Sequence, residues 1–581
     1  MNFSQGLGNK LIYLAVLILM LFPLFLLGQP SGGGGESGGG QLTQMRDEFQ
    51  ISEADLGEIN PASETMKLST LGLRGIAASL LWNKAHEHKV HHEWDRLRAT
   101  LNNIALLQPH FEKVWEFQAH NMAYNVSSEF DDYRQRYEWV VGGTEYLVEG
   151  VRQNRKSPVL LWHTGWYYGN KIGVADEKRQ FRRLFADDTS YHARIRAEGI
   201  DIDGSESLGP DRKPDNWLVG RQWFNRGYRL TREGGVPLRR KTPLHYYETG
   251  PKWLINHAVA IEEEGEFGDA AQRAWQRGYS GWLAYGDELI PTTEEFSIRL
   301  RTLDEMRRRM EDLQSEFDEL TDSLRVQMRD ERIAQLSEEQ REALETPVAE
   351  RTQRQYELAG IANLSINPSG MEVARRAPPD IKIRAMELAN ELEQTRRRLT
   401  KVQGYRDQVN YDYWETRTQA EQTPLMIEAR TLVYEADRLN EDAELDQAIE
   451  KYELAWGKWA EVFEQFPVLM YDVAAEDLKD SLKRYQRAID SEEFPENFPL
   501  RTFADYLFSD AVSPEEYEEM VQQQSQAERP GKQNVVELDF QQMIREASGA
   551  VSQAQEEPVA DPEKSLDTQA EVADDVSVEK E

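Results

Sequence analysis

Four of the ten histidines fall within seven residues: His86, His88, His91 and His92, in HEHKVHHE. Imidazole is a common metal ligand, and on a helix residues four apart share a face. His88 and His92 would then form a pair able to hold Zn, Cu or Ni, with His86 and His91 as further ligands and Glu87 reaching His91. The spacing is not that of the H-E-x-x-H zinc proteases, because Val90 stands four residues after His86. Nothing in the sequence ties a third ligand from elsewhere to the cluster, so a solvated helix face is the plainer reading.

Two other stretches carry potential chemistry. DIDGSE, with Asp201, Asp203 and Glu206, matches the opening of a calcium loop but lacks the alternating oxygens and the twelfth-position Glu of the full motif, so a plain turn is expected. Residues 178–241 hold fifteen Lys or Arg against nine Asp or Glu in an otherwise acidic chain. There Trp217, Trp223, Phe224 and Tyr228 interleave with Arg221, Arg226 and Arg229. Such a mix can meet anionic polymers or lipid head groups, or simply pair with acids of the same chain, which is the simpler expectation. No phosphate loop, nucleophile elbow or paired-carboxylate signature is present. With no cysteine at all, thiol nucleophiles, disulfides and thiolate metal sites are excluded. No enzyme activity and no cofactor is expected.

What must position these residues is a chain of 581 residues with a net charge of -35. That balance disfavours nucleic acid as a partner. Leu11 to Gly28, LIYLAVLILMLFPLFLLG, carries no charge and is just long enough for a hydrocarbon core of about 30 Å. It is longer than a signal-peptide core and lacks a good cleavage site, so an uncleaved anchor is expected. Lys10 precedes it, and no Lys or Arg follows until Arg46. The positive-inside rule then places the stub 1–10 in the cytoplasm and the body across the inner membrane, on the outer or periplasmic side. The Gly/Ser tract within 29–45 reads as a tether.

Eleven of the fourteen tryptophans lie between Trp82 and Trp282, which sets residues 46–290 apart from the rest of the chain. Pro109 follows the run IALLQ, Trp115 comes six residues later, and Ala119 and Tyr124 lie beyond. Gly150 and Gly165 flank Pro158, and Gly265, Ala271, Trp275 and Gly278 space out a turn and a helix. The region resembles the tetratricopeptide superfamily in degenerate form, interrupted by the basic stretch 178–241, and is most similar to large single-pass bacterial envelope proteins. Residues 428–467, with Ala436, Ala448, Tyr452, Ala455 and Pro467, resemble one more helix pair, its second helix starting at Ala443. The resemblance implies a helical solenoid that binds protein partners along its concave face.

Between these regions, Leu303, Met306, Met310, Leu313, Phe317, Leu320 and Leu324 alternate spacings of three and four. A second seam runs Ala385, Leu388, Leu392, Thr395, Leu399, Val402, Arg406, Val409, Tyr413. Two similar seams joined by a closed connector predict an antiparallel coiled-coil arm over 291–422. The connector holds a capping box at Ser337 and Gln340 and a loop, INPSGMEVARRAPPD. Residues 423–547 are expected to form a C-terminal helical domain, with helices at 469–489, 501–509 and 513–525. Residues 548–581 hold ten acids against two lysines and few large apolar groups, the composition of a disordered acidic tail. The expected whole is an all-α, membrane-anchored interaction scaffold with protein partners; a homo-oligomer is compatible with it.

Overall fold

The computed structural model describes residues 62–63, 66, 74–239, 241–471, 473–491 and 493–508. The expected membrane helix 11–28, the tether, the helix at 513–525 and the acidic tail lie outside them. Among the described residues no helix is long and apolar enough to cross a membrane. The protein is mostly helical, with one two-residue hairpin that all-α patterning did not anticipate: β1 (Ile290–Pro291) pairs antiparallel with β2 (Ser297–Ile298).

Helices pack in successive pairs. They are α1 (Arg74–Val90) with α2 (Trp94–Leu107), and α3 (Glu112–His120) with α4 (Tyr133–Gln153). The next helix, α5 (Pro158–Tyr167), is followed by α6 (Lys178–Asp187) and α7 (Thr189–Ala197) before α8 (Asn216–Arg232) returns to pack on it. Then α9 (Pro243–Glu263) pairs with α10 (Asp269–Gly286). The stretch 178–241 is therefore no simple insert, because it contains the partner helix of α5. Its aromatics Trp217, Trp223, Phe224 and Tyr228 are all buried.

Local chemistry explains the pairs. Trp115 is buried on α3, and its indole N–H donates to the Pro109 carbonyl at 2.8 Å, locking the α2–α3 turn. A Cβ at Gly150 would lie 2.7 Å from Trp115 Cγ, so only glycine lets α4 approach that ring. Three helices open with a hydroxyl cap followed by proline at the first position: Ser157–Pro158, Thr242–Pro243 and Thr423–Pro424. Proline loses nothing there, since the first N–H groups of a helix have no carbonyl partner. Pro158 thus starts a helix rather than merely separating two. Pro251 inside α9 leaves carbonyls without their usual N–H donor. The buried Tyr228 hydroxyl sits in the gap, accepting from Gly250 N–H at 2.9 Å and donating to the Tyr246 carbonyl at 3.0 Å, with the Tyr247 carbonyl that Pro251 deprives of its donor 3.4 Å away.

Next comes a long helix, α11 (Leu303–Ile333). Three short helices come after it: α12 (Glu338–Glu345), α13 (Gln353–Ile366) and α14 (Gly370–Arg376). Each of the three opens with a capping box, at Ser337/Gln340, Thr352/Gln355 and Ser369/Glu372. The segment expected as a loop around Ser369 is therefore helical. The chain returns through α15 (Lys382–Gln408), which packs on α11. Cross-links run in descending order, Arg309–Glu391, Arg384–Glu316, Arg376–Glu331 and Arg332–Glu372, so the return path is antiparallel to α11. Leu313 and Phe317 bury against Leu388, Leu392 and Val373. The seam drawn through Tyr413 stops short. Helix α15 ends at Gln408, Asn410 turns left-handed at φ 48°, and Tyr413 belongs to α16 (Tyr411–Glu421).

The C-terminal pair is α17 (Pro424–Glu441) and α18 (Leu445–Gln465). Their turn runs through Ala443, left-handed at φ 60°, so the second helix starts two residues later than expected. A short turn, Pro467–Tyr471, precedes α19 (Val473–Ala488). Two compact units divide the chain after Arg501, and the described part of the second begins within α20 (Arg501–Phe508).

A buried ionic junction ties the C-terminal pair to the tryptophan-rich pairs. Glu421 is fully buried on α16 and takes a two-toothed pair from Arg430 of α17. Arg417 lies 3.5 Å from the same carboxylate, and Arg430 lies 3.8 Å from Glu262 of α9. Trp275 N–H donates to Glu262 at 2.9 Å, and the Arg430 guanidinium sits over the Trp459 ring. Burial raises the Glu262 carboxyl to about 7, with Arg430 opposing and Glu421 reinforcing that rise.

Candidate interaction face

The first helices of the pairs touch one another in series: α1, α3 and α5 present side chains that stay partly open to solvent, and α5 meets α9 at the buried Thr249 and Trp253. On α3 the buried side is Val114, Trp115, Gln118 and Ala119. Lys113, Phe117, His120 and, one turn further on, Tyr124 recur every three or four residues on the other side, the spacing of a second helical face. Trp82 of α1 meets Phe117 edge-on at 5.5 Å. His120 stacks on Tyr124 at 4.4 Å, and the Tyr124 hydroxyl donates to Asn170, just beyond the end of α5. On α5, Trp162 and Trp166 stack at 4.9 Å. Trp162 N–H donates to Thr249 of α9 at 2.9 Å, and Trp166 packs on Trp253 at 5.2 Å. Beyond α9, Lys252 lies over Trp414 of α16.

Two features make this face more than the leftover of packing. Both α3 and α5 run on into π-helical segments, Asn121–Val126 and Tyr168–Gly173, and these meet through Tyr124 and Asn170. Wide turns of this kind are uncommon and concentrate where side chains are re-aimed for a task. The face also carries amines crowded by protein. Lys171 Nζ lies 4.0 Å from the Tyr124 ring centre and Lys241 Nζ 3.2 Å from that of Trp162. Burial lowers the Lys171 ammonium, and it brings Lys241 down to about 8. Crowding, with Lys171 and Lys89 nearby, pushes His120 down to about 4, so it is neutral at pH 7. The acids here are held locally: Glu116 by Lys113, and Glu248 by Lys252 and by His245 at 3.0 Å.

The histidine cluster looks different in three dimensions. Helix α1 ends at Val90 and His92 takes a left-handed φ of 56°, so the one-turn spacing of His88 and His92 is not kept. His88 is buried with Nδ1 2.6 Å from Glu93, whereas His92 lies 3.6 Å from Glu129 and is open to solvent. His86 and His91 are exposed. Among the described residues no group of three or more His, Asp or Glu is placed to hold a metal ion. In DIDGSE, Asp201 accepts from Gly204 N–H at 2.9 Å and Asp203 pairs with Arg196, which is the chemistry of a turn. Seven of the described bases of 178–241 meet acids of the same domain, among them Lys178–Glu263, Arg194–Glu145, Arg221–Glu206 and Arg232–Glu288.

One buried pair was not singled out from sequence. Asp215 caps α8 through Trp217 and Leu218 N–H, lies 3.2 Å from His257 and 3.4 Å from Arg182. Burial pulls its carboxyl up, but His257 and Arg182 outweigh that and hold it well below the usual range. Two charged partners and a capping duty commit it to holding the start of α8. A small cleft of ≈ 200 Å³ lies under Trp115, lined by Asn102, Tyr146, Glu149 and Gln153. It is apolar for the most part and holds no nucleophile with a base. Comparison with known proteins finds no family model that matches this chain, and no curated protein that matches it.

Proposed function

We propose that the protein is a membrane-anchored interaction scaffold. Residues 11–28 hold it in the inner membrane with the N-terminus in the cytoplasm, and the helix pairs act as a tetratricopeptide-like solenoid whose first-helix face binds a protein partner. The observation that carries this reading is the run of partly open aromatics, Trp82, Phe117, Trp162 and Trp166, across three successive first helices. Half-buried indoles with hydrogen-bonding neighbours are the side chains that dominate protein interfaces. The antiparallel pair α11/α15 works as a projecting coiled-coil arm, spacing the solenoid from neighbours.

The test is co-purification from detergent-solubilised membranes, comparing wild type with Phe117→Ala/Trp166→Ala. The expected result is a stoichiometric partner with wild type that is lost from the variant while its thermal melt stays cooperative. A partner retained by the variant, or no partner under conditions that preserve the fold, would overturn the reading. Carbonate washing tests the anchor: the full-length chain is expected to stay with the membrane, and a soluble form beginning near Gln29 would refute it.

A further inference from the structure

Resting on that reading of the face, we propose that its occupant is an acidic peptide segment of the partner protein. The chain has 103 acids and 68 Lys or Arg, so carboxylates are in excess everywhere. Many basic residues pair with these acids, as the Arg-rich cross-links of α11 with α14 and α15 illustrate. On the face, Lys89, Lys171 and Lys241 do not, and Lys171 and Lys241 are half-buried. Each lies over an aromatic ring, of Phe117, Tyr124 and Trp162 respectively, and none has a carboxylate within ion-pair distance among the described residues.

Keeping a half-buried ammonium without a carboxylate is unfavourable, because ring contacts recover only part of the lost hydration. Lys171 and Lys241 are both in that condition, and burial depresses both. Two of the three acids whose charge reaches them are already engaged. Asp176 and Glu177 lie toward Lys171, but Glu177 is already bound by Arg136, and Glu116 near Lys241 is bound by Lys113. A patch of positive charge on a body of net charge -35 selects a ligand with a few local carboxylates. A long polyphosphate chain would meet the patch and then be repelled by the acidic surface beyond it. Beside Lys241, the Trp162–Trp166 stack stays partly open and can take the peptide's own apolar side chains.

The test uses the full-length protein in detergent micelles and fluorescence anisotropy of labelled probes. The probes are a synthetic peptide of alternating Glu and Leu, its Lys and Leu counterpart, and an oligothymidylate. The Glu–Leu peptide is expected to bind, and to bind more weakly as salt is raised. The Lys171→Glu/Lys241→Glu variant is expected to lose about tenfold or more in affinity, equivalent to about 1.4 kcal/mol. Lys382→Glu, at the start of α15, is expected to bind as wild type does. Should the double reversal melt early, Lys171→Gln and Lys241→Gln carry the test, with smaller losses expected. Equal binding of the two peptides, tighter binding of the oligothymidylate, no binding of the Glu–Leu peptide, or unchanged affinity in a folded variant would each overturn the acidic-peptide inference. The first and last of these leave the partner-binding face standing, because that reading fails only if Phe117→Ala/Trp166→Ala retains the partner.

Discussion

The tryptophan-rich pairs of 74–286 and the charged pair α11/α15 use the same secondary structure to different ends. In the first region, large aromatics fill the core, and three of the indoles fix their N–H on a partner: Trp115 on the Pro109 carbonyl, Trp275 on Glu262, Trp282 on the Tyr411 carbonyl. Such contacts specify one packing, and they leave a second set of aromatics facing solvent on α1, α3 and α5. In the second region a narrow aliphatic seam is enough, and the remaining surface is closed by exposed cross-helix ion pairs such as Arg384–Glu316. One region holds its shape while keeping sites open. The other satisfies itself and projects little but charge.

That contrast predicts where substitutions hurt. The largest effects belong to the aromatic region and its junction. Trp115→Ala removes a buried ring and the turn bond it makes, and about 3–5 kcal/mol of stability is expected to go with it, read as a shift in the urea midpoint. Arg430→Ala removes the two-toothed partner of the buried Glu421 carboxylate and leaves only Arg417 at 3.5 Å, and a loss of about 3 kcal/mol is expected for that reason. If either variant melts like wild type, the core assignment fails. In the charged pair, Leu388→Ala is expected to cost about 2–5 kcal/mol, toward the low end because a two-helix seam can collapse around the gap.

How much of this was legible beforehand differs between the regions for a physical reason. The seam residues Leu313, Phe317, Leu388 and Leu392 follow a strict period, and a period survives in sequence whatever the neighbours are. Its end did not survive: Arg406, Val409 and Tyr413 keep the spacing, yet Asn410 turns the chain. The pairs of the first region have no clean period, because α6 and α7 separate α5 from α8. Ser157–Pro158, Thr242–Pro243 and Thr423–Pro424 were the available signal, since a hydroxyl followed by proline opens a helix. The candidate face was invisible. Trp162, Trp166 and Lys241 are brought together by α5 and the start of α9, and sequence spacing alone gives no sign of it. The one-turn spacing drawn between His88 and His92 fails for the opposite reason, because a helical register was carried across residues where the helix has ended.

Smaller effects sharpen the comparison. Tyr228→Phe removes the hydroxyl that services the carbonyls around Pro251, and about 1–3 kcal/mol is expected to be lost through those unsatisfied groups. The junction also sets a pH dependence. The folded Glu262 carboxyl sits near 7 against 4.5 when free, so the folded state holds a proton that the unfolded chain has released between those values. Its contribution is full below 4.5 and is lost as pH rises through about 7. Glu262→Gln is expected to flatten the fall in stability over that window, and an unchanged profile would reject the assignment. The smallest change belongs to the surface of the charged pair: Arg384→Ala is expected to alter stability by about 0–1 kcal/mol, the range of exposed ion pairs.

The central claim is that the first-helix face, and not the arm, meets the partner. Site-specific photo-crosslinking in intact membranes tests it most directly, with the crosslinking residue placed at Trp166, at His120, and at Arg309 on α11. The account predicts one discrete adduct of the same mass from Trp166 and His120 and none from Arg309, with the adduct abolished by Phe117→Ala. An adduct from Arg309 alone, or adducts from the face that survive Phe117→Ala, would contradict it.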